Sequence, residues 1–232
     1  IADADFVGVA RKFRTKVDWV IHKNDWSTWS TYNEAKKAQV FEQLANNIAK
    51  LLNRKLTDFS SRAIPYVSFG VGSTSWQGDG VTLLFDGYPE DAGSVALFDK
   101  FVTILKGKVM PSGERIKVNL LLYQSAMGVG KGIYDYQHLL KLAGNIESSN
   151  SNLSHIAVLI EEPTTTSKKK LRTDIEDALH GLERENLLRG IIPVIEFDGK
   201  SWQQLEDDII YFKDNFGGIG FWPLSYSKQP AA

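Results

Sequence analysis

The sequence GDGVTLLFDGYPED, residues 78–91, contains an apolar run that ends in a carboxylate, a glycine, a tyrosine, a proline and two more acids. Continuous apolar runs are typical of strands that are covered on both faces in a parallel sheet. In βα barrels, the groups that do chemistry gather on loops after the carboxyl ends of such strands. The stretch therefore predicts a buried strand at Val81 to Phe85, followed by a candidate site at Asp86.

The rest of the chain repeats the same order of apolar strand, polar loop and amphipathic helix. One predicted helix carries apolar residues at three-and-four spacing between residues 38 and 52. Alternation of strands with helices indicates an α/β protein with a parallel sheet. The predicted strands are Val17 to His22, Ile64 to Phe69, Val81 to Phe85, Ile116 to Tyr123, His155 to Ile160, Ile191 to Phe197 and Gly218 to Pro223.

Both an open doubly wound sheet and a closed (β/α)₈ TIM-type barrel fit this alternation. Polar or aromatic groups follow nearly every predicted strand, which favours the barrel, because an open sheet concentrates its site at one switch point. No phosphate-binding glycine fingerprint supports the open sheet. Seven strands are one short of closure, and a predicted helix at Asp5 to Phe13 comes first, so we expect the first strand upstream of Ile1. Residues 1–232 are interpreted as a single barrel domain, an excised or processed piece of a longer protein.

Composition excludes several classes of function. The chain has 232 residues, 43% hydrophobic content and a net charge of −1, so it carries no electrostatic footprint for nucleic acid. It has no cysteine, which excludes disulfides and thiolate chemistry. No stretch approaches a membrane span, and no cofactor or metal-ligand motif is present. The basic run at residues 167–172 is interpreted as a solvated helix entry. The oligomeric state is left open.

Four strand ends resemble the chitinase-like barrels of glycoside hydrolase family 18. That family ends its third strand in Ser-x-Gly-Gly, similar to SFGV at residues 68–71, and its fourth carries DGxDxDxEYP, similar to DGVTLLFDGYP at residues 79–89 with Gly87 as one extra residue. Its sixth ends in Met-x-Tyr-Asp, loosely similar to VLIE at residues 158–161. Its eighth is GGxxxW, similar to GGIGFW at residues 217–222.

The resemblance implies a site and a cellular location. Asp86 stands at the position of the family's glutamate, the general acid, while Leu84 and Thr82 stand where the family has its inner aspartates. An aspartate is shorter by one methylene, and the orienting group of the substrate-assisted mechanism is missing. The glycan-directed interpretation implies an oligosaccharide or polysaccharide partner and a secreted or cell-surface location.

A second hydrolytic arrangement uses other strand-end acids. Glycoside hydrolysis generally requires two carboxylates, and we expect Asp86, Glu161 and Glu196 at one barrel mouth. Glu161 with Asp86 is the first choice of pair, and Glu161 with Glu196 is the second. The alternative for any of these acids is structural, as a helix cap or an ion pair, and Asp91 is a clear example of a residue suited to capping.

Aromatic residues at or just beyond strand ends suggest surfaces for sugar rings, which stack on flat aromatic faces. Rim packing is the alternative for each tryptophan, and we expect it for Trp202. His22 follows a strand and lies near Asp25 in sequence, which suggests a histidine–aspartate pair or an ordinary satisfied polar residue. The ligand-binding candidates are Trp26, Ser68, Trp76, Tyr88, Tyr123 and Trp222.

Two functions remain. The first is a carbohydrate-active hydrolase whose acid is Asp86 or Glu161. The second is a catalytically inactive barrel that binds a glycan or a protein, and the missing glutamate and inner aspartates favour it.

Overall fold

Strands alternate with helices through the part of the chain that the computed structural model describes, residues 18–52, 80–109, 115–143, 153–160, 165–180, 183–195 and 200–221. The strands in this part are β1 (Asp18–His22), β2 (Gly80–Leu84), β3 (Val118–Tyr123), β4 (His155–Leu159), β5 (Ile191–Ile195) and β6 (Gly220–Phe221). The helices are α1 (Glu34–Leu52), α2 (Ala92–Lys106), α3 (Tyr136–Ala143), α4 (Thr165–Ala178), α5 (Glu183–Gly190) and α6 (Trp202–Asn215).

The predicted α/β class is confirmed. Six of the seven predicted strands are present, each within a few residues of its expected bounds. The predicted strand at Ile64 to Phe69 and the predicted helix at Asp5 to Phe13 lie outside the described residues. None of the described helices is long and apolar enough to cross a membrane.

The chain groups into two compact units, Ile1–Asn119 and Leu120–Ala232, and the boundary falls within β3. In the first unit β1 and β2 are parallel, with His22 opposite Leu84. The pairing continues past the strand end, because the Lys23 N–H donates to the carbonyl of Leu84 at 2.8 Å. Every residue from Val81 to Phe85 is buried, as expected for a strand covered on both faces.

The core of the first unit contains an aromatic cluster that includes Phe85, the residue after β2. Helix α1 buries Phe41, Ala45 and Ile48, which lie on one face at three-and-four spacing. Ring centroids of Phe41 and Phe101 lie 4.8 Å apart in a stacked pair. The cluster consists of Trp26, Trp29, Phe41, Phe85, Tyr88, Phe98 and Phe101.

In the second unit β4 pairs with β5 and β5 pairs with β6, all parallel. Gly217 and Gly218 precede β6, and the backbone at Gly217 passes close to the backbone at Arg189. A Cβ on Gly217 would lie 2.0 Å from the carbonyl oxygen of Arg189, and Gly218 has φ +157°. The two glycines that resemble the family's eighth-strand motif therefore have a packing reason in this chain.

Candidate functional site

A hydrogen-bonded pair of side chains stands at the carboxyl ends of β1 and β2. Nε2 of His22 lies 2.7 Å from Oδ2 of Asp86. Both side chains are partly open to solvent, at 31% and 30% exposure. The pair is therefore accessible, at the strand ends where parallel α/β proteins place their ligands.

The backbone explains why these two side chains meet. The β1–β2 register sets His22 beside Leu84, the last residue of β2. A tight turn follows, in which the Tyr88 N–H donates to the carbonyl of Phe85 at 3.3 Å. Asp86 is the first residue inside this turn, and Gly87 takes the left-handed conformation, φ +67°, that closes it.

The pair is chemically suited to proton transfer. The hydrogen bond between Nε2 of His22 and Oδ2 of Asp86 can be donated by an Nε2–H to a carboxylate oxygen or by a protonated carboxyl to a neutral imidazole. Imidazole changes its charge near neutral pH, and a carboxylate partner orients the ring and sets its tautomer. A histidine–carboxylate pair of this kind can supply general acid–base catalysis to a bound molecule.

The sequence correctly marked His22 and Asp86 as strand-end residues but suggested the wrong partner for His22. Asp25 instead accepts hydrogen bonds from the N–H of Ser27 at 3.0 Å and from its Oγ at 2.7 Å. These bonds lower the pKa of Asp25. A short polar side chain after a strand commonly bonds to its own backbone two residues on, and that local turn satisfies Asp25 here.

Trp26 joins the strand-end loop to the aromatic cluster. Its ring lies 5.1 Å from that of Phe85 and 4.6 Å from that of Tyr88, between centroids. The ammonium of Lys23 lies 4.4 Å from its ring centroid. Within the described residues its buried Nε1 has no hydrogen-bond partner. Trp26 remains a ligand-binding candidate, because it is only half-buried.

Tyr88 belongs to the core rather than to an exposed sugar surface. Its side chain is 4% exposed, and its hydroxyl donates to the carbonyl of Ser94 at 2.7 Å. Burial raises the pKa of Tyr88 above its ordinary value. Trp29 is buried beside it and donates to Oγ of Ser94 at 3.2 Å. The ring faces of Tyr88 and Trp29 pack against other side chains, so they are not accessible to a sugar ring.

Asp91 has the capping role suggested for it. It is the N-cap of α2 and accepts from the N–H of Ser94 at 2.9 Å and from its Oγ at 2.7 Å. These hydrogen bonds lower the pKa of Asp91. Among the acids of residues 78–91, Asp91 therefore caps a helix, whereas Asp86 bonds to His22 at the end of β1.

Of the six remaining predicted site residues, only Tyr123 lies in the described part of the chain. Tyr123 ends β3, is half-buried and precedes a short 3-10 turn at Gln124–Ala126. Gln124 Nε2 donates to the carbonyl of Ser167 at 3.0 Å. The predicted site residues outside the described part of the chain are Ser68, Trp76, Glu161, Glu196 and Trp222.

The basic run at residues 167–172 lies at the start of α4 as predicted, and Lys169 and Lys170 are exposed. Lys168 is the exception, because its ammonium bonds to the buried carboxylate of Asp208. Trp202 does not pack against the rim, since its side chain is 66% exposed. Lys200 bonds to the second oxygen of Asp208, which completes a charge cluster that sequence reasoning missed. The sequence signal for this cluster is that Asp208 occupies the same helix face as the apolar residues Leu205 and Phe212.

Within the described segments, no group of three or more histidine, cysteine or acidic side chains is arranged to hold a metal ion. Comparison of the chain with protein-family models, curated proteins and solved structures finds no match.

Proposed function

We propose that this chain is a carbohydrate-directed protein whose site includes the His22–Asp86 pair. The observation that carries the proposal is the accessible carboxylate of Asp86, held at 2.7 Å by an imidazole at the end of a buried parallel strand. The resemblance of residues 79–89 to the catalytic strand of chitinase-like barrels supports the choice of ligand.

We further propose that the βα units belong to a (β/α)₈ barrel. Support comes from the parallel pairing of β1 with β2, of β4 with β5, and of β5 with β6, each in chain order. Helices α1 and α4 follow β1 and β4, as the alternation of a barrel requires. A crystal structure with eight closed parallel strands is the expected result, and an open sheet with a reversed strand order contradicts it.

In the hydrolytic form of the proposal, Asp86 acts in its protonated form. It donates its proton to the glycosidic oxygen while the bond from that oxygen to the anomeric carbon breaks, and it is left as a carboxylate. A water molecule bonds to the anomeric carbon and gives its proton to a second carboxylate. His22 acts as a positioning residue, because its bond to Oδ2 holds the Asp86 side chain in one orientation. Sequence alone proposes Glu161 as the second carboxylate, with Glu196 as the second choice.

Binding without turnover is the alternative, and two burial values favour it. Thr82 and Leu84, at the positions of the family's inner aspartates, are 6% and 5% exposed. Neither side chain is an acid, and burial keeps both away from a ligand. A protein that kept the strand-end pair but lost these carboxylates is expected to retain a glycan without cleaving it.

The test measures binding and cleavage together. Wild type, Asp86→Asn, His22→Gln and Glu161→Gln are titrated calorimetrically with soluble oligomers of N-acetylglucosamine, glucose and xylose, and the mixtures are then analysed for shortened products. Asp25→Asn is the matched control, because Asp25 lies near His22 in sequence but bonds to Ser27.

Three outcomes are distinguishable. Shortened products from wild type and Asp25→Asn, but not from Asp86→Asn, establish hydrolysis. His22→Gln should then keep oligomer binding while kcat falls and its pH profile changes, as expected for a positioning residue. Binding without products in all variants establishes a glycan-binding protein. Absence of binding to every oligomer overturns the carbohydrate proposal.

A further inference from the structure

Three charged side chains form a buried cluster in the second unit. Asp208 of α6 has a side chain that is 3% exposed, and each of its carboxylate oxygens bonds to a different lysine. Lys168 of α4 bonds to Oδ1, and Lys200 bonds to Oδ2. The lysine side chains are themselves only 15% and 14% exposed. The three residues are called the lysine–aspartate cluster below.

The charges of the lysine–aspartate cluster do not balance. Two ammonium groups face one carboxylate, which leaves one positive charge in excess. Each ammonium has three N–H donors, and within the described residues Asp208 is the only carboxylate bonded to Lys168 or Lys200. Two largely buried ammonium groups that share one carboxylate repel each other, so a cluster of this composition favours a second anion.

The position of the cluster also suits an anion. Lys168 lies in the first turn of α4, the helix that follows β4, and Lys200 directly precedes the N-cap of α6, the helix that follows β5. Because β4 and β5 are parallel neighbours, both helices start from the same edge of the sheet. Helix N-termini carry partial positive charge, which adds to that of the two ammonium groups.

Contacts around the lysines hold them in place. The ammonium of Lys168 lies 5.8 Å from the ring centroid of Tyr211, whose hydroxyl donates to the Lys168 carbonyl at 3.4 Å. Next to Lys200, Ser201 and Gln204 form a reciprocal capping box that anchors the start of α6. A site held in this way loses little conformational entropy when a ligand binds.

We propose that Lys168 and Lys200 form a binding site for a small oxyanion, the carboxylate or phosphate group of a ligand, with Asp208 as the residue that holds the two ammonium groups side by side. Ammonium donors form strong charge-assisted hydrogen bonds with anionic oxygens. No residue of the His22–Asp86 pair takes part in this site, so the proposal does not rest on that pair.

The test uses the whole chain in a chloride buffer of constant ionic strength. Inorganic phosphate and acetate are titrated separately by calorimetry into wild type, Lys168→Met, Lys200→Met and the control Lys169→Met. Lys169 is the exposed neighbour of Lys168 on α4. We expect saturable binding of at least one anion to wild type and to Lys169→Met, and at least a tenfold loss of affinity in the other two variants. The anion that binds more tightly identifies the ligand group.

A stability measurement checks that the variants report on binding. Each lysine variant keeps one lysine paired with Asp208, so we expect its Tm in phosphate-free buffer to stay within about 2 °C of wild type. Added anion should raise the Tm of wild type and of Lys169→Met only. The proposal is overturned if neither anion binds, if all variants bind equally, or if Lys168→Met unfolds in phosphate-free buffer.

Discussion

Nε2 of His22 lies 2.7 Å from Oδ2 of Asp86, although the two residues are 64 positions apart in the chain. The parallel register of β1 and β2 brings them together at one strand edge. Asp25, three residues from His22 in sequence, bonds to Ser27 instead. The pair is thus a product of strand pairing and not of local sequence.

Energetic coupling should therefore exist between His22 and Asp86 and be absent between His22 and Asp25. A double-mutant cycle with His22→Ala and Asp86→Ala should give a coupling of about 0.5–1 kcal/mol in the free energy of urea unfolding, as for partly exposed pairs. The matched cycle with Asp25→Ala should be additive within about 0.3–0.5 kcal/mol. Equal coupling in both cycles would contradict the structure.

Substitution of Gly87 should show how much the turn after β2 depends on a left-handed residue. Gly87 has φ +67°, and no atom lies within 4 Å of the position that a Cβ would take. Gly87→Ala should therefore cost about 1 kcal/mol through backbone strain alone. Gly87→Asn should cost less, because asparagine tolerates this conformation. Chemical denaturation of both variants measures the difference, and equal costs would argue against strain.

Loss of the Asp91 cap should destabilise the first unit in a pH-dependent way. Asp91→Ala should lower the free energy of unfolding by about 1 kcal/mol near pH 7, since it removes the N-cap of α2. The folded state depresses the pKa of Asp91, so the charged cap stabilises above the unfolded pKa of about 3.9. That stabilisation is lost as pH falls through the lower, folded value.

Asp91→Ser separates the charge from the cap. Serine also accepts hydrogen bonds from the helix N–H groups but does not titrate. The unfolding free energy of Asp91→Ser should therefore rise relative to that of wild type as the pH becomes acidic. Urea unfolding between pH 7 and pH 2.5 measures this trend. If Asp91→Ala and wild type differ equally at every pH, the Asp91 carboxylate does not stabilise the helix through its charge.

Alkaline pH should destabilise the second unit through Tyr136. Burial, together with the nearby carboxylates of Asp174 and Asp135, raises the pKa of Tyr136 to about 12. The phenol thus stays neutral in the folded chain, while the unfolded chain releases its proton near pH 10. The stabilisation is complete below about pH 10 and is lost as pH rises towards 12.

The check is the pH dependence of unfolding between pH 8 and pH 11.5. Tyr136→Phe keeps the ring and removes the ionisable group. Above pH 10, the unfolding free energy of Tyr136→Phe should fall less steeply with pH than that of wild type. The difference corresponds to the release of at most one proton on unfolding. Tyr88, which burial shifts in the same direction, contributes to the slope that remains. Identical slopes would show that Tyr136 ionises freely in the folded state.

Truncation on α2 should distinguish the aromatic cluster from the helix surface. Phe101 is fully buried and stacks on Phe41 and Phe85, so Phe101→Ala should cost about 3–5 kcal/mol. Ile104, one turn along the same helix, is 37% exposed, and Ile104→Ala should cost about 0.5 kcal/mol or less. Comparable losses in guanidinium unfolding would mean that the helix face is assigned incorrectly.

Local pattern was sufficient for most of the fold. The apolar run at Val81 to Phe85 predicted a buried strand because burial on both faces requires apolar residues on both. Spacing of three and four predicted the face of α1 that buries Phe41 and Ile48. Asp91, three residues before Ser94, was recognisable as a cap because capping acts over a single turn.

Roles that depend on distant neighbours were not predictable from pattern. Tyr88 and Trp202 are both aromatic residues near strand ends or helix starts, yet one is in the core and the other is exposed. Lys168 lies in a basic run, yet its side chain is only 15% exposed, because Asp208 on another helix pairs with its charge. Such outcomes depend on which elements pack together, and a single sequence does not state this.

Sequence pattern alone thus predicts the α/β class, the strand positions and the residues at the strand ends, since hydrophobic periodicity and capping act over a few residues. The contact of Asp86 with His22 and the pairing of Asp208 with two lysines follow only from the folded chain. Strand register brings together His22 and Asp86, which are 64 positions apart. Helix packing brings together Lys168 and Asp208, which are 40 positions apart, and local sequence pattern does not specify partners at such separations.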